Sequence, residues 1–236
     1  MNSDPLVTLR QAFERCSIMD ASLGERLEAY STAVREFIPD YANAVDELVA
    51  RLRANSAGDN APQPGSSMPP FLLPDENGRL VALEDLLRRG PAAITFQRGH
   101  WCPWCRISLA ALSNAQADIG RIGAQVAAIV PETQRYAVEF KSRAQSPFPI
   151  LTDLDNGYAL SLNLAIWIGT ELKRLLSSYG LSLPDYQDNE AWLLPIPATF
   201  VVGRDGRVKT RFIDPDFRKR ASIEDLTQAL QSAAAA

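Results

Sequence analysis

Two of the chain's three cysteines, Cys102 and Cys105, stand three residues apart in the string Gln97-Arg98-Gly99-His100-Trp101-Cys102-Pro103-Trp104-Cys105-Arg106-Ile107, which also carries the only histidine. A thiol attacks only as the thiolate, and the free N–H groups and positive dipole end of a helix N-terminus favour that form. The apolar run Ala92-Ala93-Ile94-Thr95-Phe96 comes just before, and a helical pattern starts at Cys102. The pair therefore falls where a strand hands over to a helix. Cys102 becomes the candidate low-pKa nucleophile, and Cys105, one turn inside, the thiol that closes a disulfide on it after oxidation.

Other chemistries compete for the same residues. Two cysteines at this spacing form half of a tetrahedral zinc site, but a structural site needs four ligands, and Cys16 is remote while His100 belongs to the same motif. No metal and no cofactor are expected. A merely structural buried pair leaves Pro103 and the helix start without a reason. Arg98 and His100 can each lend positive charge to a thiolate; the plain alternative is a surface cation and an exposed loop residue. Trp101 and Trp104 form an apolar wall near the sulfurs or are simply core aromatics. Arg106 reads as a solvated helix residue, and Cys16, near Ile18 and Met19, as a small buried hydrophobe. A second cluster, Ile196-Pro197-Ala198-Thr199-Phe200-Val201-Val202, puts a proline before a strand. There it cannot donate to the ladder, and an X–Pro bond gives access to cis and a tight bend.

The elements that must position these residues are legible as patterns. With 236 residues, 46% of them hydrophobic, the chain can bury a full core. A formal net charge of −4 leaves no basic footprint for nucleic acid. No stretch has the roughly 20 apolar residues of a membrane span, and Met1-Asn2-Ser3-Asp4-Pro5 does not begin a signal peptide, so a cytoplasmic location is expected. Three cysteines are too few for a disulfide scaffold, which points a closely spaced pair toward redox or metal chemistry. Residues 1–54 repeat apolar positions at three- and four-residue steps and predict two or three helices. Residues 55–70, rich in Ser, Gly, Asn and Pro, read as a linker. From 71 to 236 strands and helices alternate. Strands are expected at 71–73, 80–81, 92–96, 125–130, 148–151, 198–202 and 207–213, with helices at 83–89, 102–119, 132–145, 156–164, 170–179 and 222–230. Such alternation implies an α/β fold with a mixed sheet covered on both faces.

A helix-opening CPWC after a strand, then Ile-Pro-Ala-Thr-Phe-Val-Val and an Asp-Gly hairpin, resembles thioredoxin-fold proteins. The lead-in around Pro70-Phe71-Leu72-Leu73-Pro74-Asp75, together with Thr95-Phe96-Gln97-Arg98-Gly99-His100-Trp101-Cys102, is similar to the peroxiredoxin-like branch of the alkyl hydroperoxide reductase and thiol-specific antioxidant superfamily, over about residues 60–230. The resemblance implies a thioredoxin-like three-layer sandwich with a central mixed sheet, plus an N-terminal helical extension. It implies that Cys102 is the peroxidatic cysteine, Cys105 the resolving thiol and Pro197 a cis-proline facing the pair, with Arg98, His100, Trp101, Pro103, Trp104, Pro197 and Thr199 shaping the site. Gly99 stands where peroxiredoxins proper carry threonine, Thr95 where they carry proline, and Pro197 where many carry an arginine. The implied activity is a thiol-dependent peroxidase acting on hydrogen peroxide or organic hydroperoxides. Alternatives are a thioredoxin-like thiol-disulfide oxidoreductase and a redox-sensing or binding module with little turnover. An external thiol reductant of thioredoxin, glutaredoxin or glutathione type and a homodimer are the implied partners, with no nucleic acid and no membrane. The segment Phe212–Arg220 also recurs in the proteins this chain resembles, and its composition assigns it no role beyond linking the last strand to the last helix.

Overall fold

The computed structural model describes residues 4–235. Three helices come first: α1 (Pro5–Ile18), α2 (Leu23–Phe37) and α3 (Pro39–Ala54). Their starts follow from local chemistry. Asp4 and Ser22 accept first-turn amides, Ser22 in a reciprocal box with Glu25, and Pro39 opens α3 where a missing N–H goes unneeded.

After a short hairpin of β1 (Leu72–Pro74) and β2 (Leu80–Ala82) comes α4 (Leu83–Leu87). The chain then runs β3 (Ala92–Phe96), α5 (Pro103–Asn114), α6 (Gln116–Arg121), β4 (Gln125–Val130), α7 (Gln134–Arg143), β5 (Ile150–Thr152) and α8 (Gly157–Ser161). It continues through β6 (Ala165–Trp167), α9 (Thr170–Ser178), α10 (Leu183–Gln187), β7 (Leu193–Pro195), β8 (Ala198–Val202), β9 (Val208–Ile213) and α11 (Ile223–Ala234). The five-stranded sheet has the order β5-β4-β3-β8-β9, with β3, β4 and β5 parallel and β8 antiparallel to both β3 and β9.

Side-chain alternation divides the core by faces. Ala93, Val126, Ala128 and Val130 point to the side packed by α5, α11 and the N-terminal helices, while Ile94, Phe96, Ala127 and Ile129 point to the side closed by α8 and the 61–71 segment. This is the expected thioredoxin-like fold with a helical extension. Every residue of β3 is buried, as in β5 and β8, so the strand that delivers the cysteine loop is fully enclosed.

Three details differ from the sequence patterns. Residues 55–70 hold no helix or named strand, yet they are strapped along the edge of β9: the amides of Gly65 and Met68 donate to the carbonyls of Val208 and Gly206 at 2.8 and 2.9 Å, and Ser67 bridges Arg207. An open sheet edge is a row of unpaired groups, and the strap satisfies them. The long cysteine helix breaks at Ala115 into α5 and α6. The short strands β6 and β7, which pair antiparallel, and α10 have too few residues to show a period.

The expected cis-proline is a correction. No cis peptide occurs among the described residues, so Ile196–Pro197 is trans. The chain passes directly from the β6–β7 ladder into β8, and the Ile196 amide donates to Leu164 O at 2.8 Å on the way. An extended path of this kind needs no bend, and trans is the favoured isomer by about 0.5–1 kcal/mol.

Candidate active site

β3 ends at Phe96, and the Gln97 amide prolongs its ladder by donating to Ile129 O at 2.9 Å. The loop then turns over the start of α5. Cys102 is the residue capping that helix, its amide donating to Gly99 O at 3.2 Å, and Pro103 takes the first helical position. Cys105 lies one turn inside. All three cysteines are unbridged, and both sulfur-bearing residues of the motif are 0% exposed.

The charge of the pair is distributed differently from the expectation. Cys105 Sγ accepts the Arg98 backbone amide at 3.4 Å and Arg220 Nη2 at 3.3 Å. Arg220 is itself anchored, donating through Nη1 to the carbonyls of Phe217 and Lys219. Burial pushes the Cys105 thiol up, but the hydrogen bond from Cys102, the charge of Arg220, and the amide and charge of Arg98 outweigh it and bring the group down to about 6. Burial, and then the hydrogen bond to and charge of Cys105, push Cys102 well above the ordinary thiol value. The two donors on Cys105 Sγ thus favour the ionised form there, beyond what the helix start by itself provides at Cys102. A guanidinium at contact distance prevails over the partial charge of a helix end.

Arg98 and His100 leave the loop in opposite directions. Arg98 is 2% exposed and lies with Cζ 3.7 Å from the Phe217 ring centroid and 5.2 Å from that of Trp101, and its charge acts on Tyr41. Its Nη1 is buried without a partner, and its charge favours the ionised form of both cysteines. His100 turns to Glu132, a carboxylate with no exposed side-chain surface: its amide donates to Oε2 at 2.8 Å and Nδ1 meets Oε1 at 2.6 Å. Its ring stacks on Tyr136 at 4.7 Å and meets Tyr186 edge-on at 4.9 Å. His100 is thus neither exposed nor turned toward the sulfurs. Burial pushes the Glu132 carboxyl up, while the hydrogen bonds and charge of His100 pull it down.

Trp104 joins the motif to the N-terminal helices. Trp104 Nε1 donates to Ser31 Oγ at 2.9 Å, and its ring meets Tyr30 edge-on at 5.0 Å and Phe217 at 5.4 Å. Thr199 is buried in the sheet, donating to Thr95 Oγ1 at 3.2 Å, which also takes Gln97 Nε2 at 2.9 Å. Cys16 lies buried in α1, as its apolar neighbourhood implies.

Residues 64–211 match the AhpC/TSA family. The chain belongs to that family. It is 25% identical over 153 residues to the thiol-disulfide oxidoreductase ResA of Bacillus subtilis, covering 64% of this chain and 68% of the relative. It is 30% identical over 92 residues to a chloroplastic peroxiredoxin Q of Oryza sativa, covering 39% of this chain and only 42% of the plant protein. Among solved structures, peroxidoxin BcpB from Mycobacterium tuberculosis has the same fold at a TM-score of 0.57 and 18% identity, covering 72% of this chain and 97% of that one. Peroxiredoxin 6 of Arenicola marina superposes at 0.54 with 17% identity, covering 72% of each. These relatives place the chain among thiol-dependent oxidoreductases.

The structure also explains this AhpC/TSA member's departure at Gly99. Its φ is +135°, and a Cβ built there would lie 2.4 Å from Glu132 Oε1. The space a threonine side chain would need holds the Glu132 carboxylate. Four residues near the sulfurs or their loop carry no signal in the motif itself: Tyr41, Glu132, Phe217 and Arg220. Only the last two had a pointer, through the recurring Phe212–Arg220 segment, whose role is now plain. It supplies the ring beneath Arg98 and the guanidinium on Cys105.

Proposed function

We propose that this chain is a thiol-dependent peroxidase that reduces hydrogen peroxide or organic hydroperoxides through Cys102 and Cys105. The observation that carries the proposal is the complete burial of both cysteines, with Arg220 and the Arg98 amide directed at Cys105 Sγ. A small peroxide needs only a slight opening to reach such sulfurs, whereas a protein disulfide must lay its own sulfur against an accessible thiol. In this reading residues 71–236 form the redox domain and residues 1–54 an extension that covers it.

The shared hydrogen bond supplies the first step. Cys102 passes its proton to Cys105 and attacks the distal peroxide oxygen as a thiolate. The O–O bond breaks, Cys102 becomes a sulfenic acid, and the departing alkoxide or hydroxide takes the proton from Cys105 to leave as alcohol or water. Cys105, again a thiolate because Arg220 and the Arg98 amide favour it, attacks the Cys102 sulfur. A disulfide forms, and the released hydroxide becomes water with a solvent proton. Two electrons from an external thiol donor then restore the pair. The same burial favours a small thiol as donor, since a protein reductant needs the covering helices to part.

The test is oxidation of the reduced protein by hydrogen peroxide, followed through the fluorescence of Trp101 and Trp104. Fast oxidation is expected in the parent and loss of it in Cys102→Ser; Cys105→Ser should stop at a sulfenic acid visible by intact mass. A parent rate no greater than that of a free thiol at the same pH overturns the reading. The one-turn cysteine pair and the similarity to ResA favour a thiol-disulfide oxidoreductase as the second reading. Rapid reduction of insulin disulfides alongside slow peroxide chemistry would select it.

A further inference from the structure

A cavity of about 290 Å³ lies between the N-terminal helices, α9 and the start of α5. Its size is near the lower end of the ~300–1,000 Å³ range of small-molecule pockets. The wall is mainly apolar, with Phe13, Tyr30, Val34, Tyr41, Trp101 and Trp104 prominent in it.

Two features give this cavity a chemical preference. Among the described residues, the charged ones lining it are Arg10 and Arg106, in a chain whose formal net charge is −4. Arg106 is half-buried with Cζ 4.1 Å from the Phe13 ring centroid, and Arg10 is exposed. Among the described residues no carboxylate lines the cavity, Glu139 acting on Arg106 only from outside it, so an anionic head is favoured at the arginines and an apolar chain along the aromatic wall. The second feature is its position: Trp101 and Pro103, the covalent neighbours of Cys102, are part of the wall. About half of the cavity wall is built by α1, α2 and α3, which precede the residues matching the AhpC/TSA family.

We propose that this cavity binds a single-chain aliphatic carboxylate, with the carboxylate at Arg10 and Arg106 and the chain lying past Trp101 beside Cys102. The ligand's fate rests on the peroxidase reading: its hydroperoxide is the form turned over, reduced to the hydroxy acid with Cys102 and Cys105 oxidised as above. Binding itself is independent of turnover, which keeps the two claims separable.

The experiment is titration of the reduced full-length protein with decanoate and with decanol, by calorimetry and by tryptophan fluorescence. Decanoate should bind in the sub-millimolar range and perturb the fluorescence, with decanol weaker by roughly tenfold or more for loss of a charged hydrogen-bonding partner. Arg10→Glu, at an exposed position that leaves the fold intact, should weaken decanoate by about the same factor and remove the preference over decanol. Equal affinity for decanoate and decanol, no effect of Arg10→Glu, or no binding overturns the proposal. So does displacement of decanoate by glutathione, which would assign the cavity to the reductant. Decanoate binding without peroxide turnover sustains the cavity and removes the peroxidase reading; fast peroxide turnover without decanoate binding does the opposite.

Discussion

Arg98 and His100 are separated by one residue, and either could serve as the cation that activates a thiolate. The structure gives them opposite fates. His100 faces Glu132 and is packed between two tyrosines, so its amide and ring nitrogen are satisfied within a closed cluster. Arg98 lies over Phe217 with one nitrogen unpartnered, and its field, with that of Arg220, falls on the cysteine pair. A buried basic side chain already hydrogen-bonded to a carboxylate holds structure together. One left without such a partner is available to a neighbouring anion, here the Cys105 thiolate.

The contrast can be broken most severely at Glu132. Glu132→Ala leaves the His100 amide and ring buried without their acceptor and should cost about 3–5 kcal/mol of stability, read as a fall in Tm or in the denaturant midpoint. The cysteine ionisation should move little. A shift of that ionisation as large as the one from losing Arg220 would merge the two clusters and sink the comparison. Gly99→Thr, which inserts the threonine common among peroxiredoxins, forces a side chain onto a positive φ and into the Glu132 carboxylate. A loss of about 1–3 kcal/mol from backbone strain alone is expected, with no gain in peroxide rate.

Arg220→Gln tests the other side. Removing the guanidinium should raise the Cys105 ionisation from about 6 by at least one unit, a change of about 1.4 kcal/mol. Iodoacetamide alkylation near neutral pH should slow accordingly, with its midpoint displaced to higher pH. The sign for stability follows from proton binding. Between about 6 and the ordinary value of 9.0 the folded chain holds this thiol ionised while the unfolded chain keeps it protonated. This contribution is fully present above pH 9, declines with falling pH, and is lost below about 6; Arg220→Gln should flatten that dependence. The smallest effect is expected at Thr199→Val, which removes one sheet hydroxyl from Thr95 and should cost about 0.5–1.5 kcal/mol without moving the cysteine midpoint.

Much of the architecture was legible because it is local. β3, β4 and β8 lie where their apolar runs place them, since a strand with both faces covered is apolar throughout. The segment 55–70 was less so: its composition rules out a helix but says nothing of the β9 edge it would find. Pro197 shows the same limit. Its type allows cis, and the folded chain holds trans.

The sequence by itself determined the reagent and its setting: two cysteines one turn apart, a proline opening their helix, and a strand delivering them to the edge of a thioredoxin-like core. Each of these depends on neighbours within a few residues. Only the tertiary structure decided which sulfur carries the charge and which cation attends it. Glu132 is 32 residues from His100, and Arg220 is 115 residues from Cys105. Charge and hydrogen bonding act through space over a few ångströms, so their outcome was settled when folding brought those distant groups to the same loop.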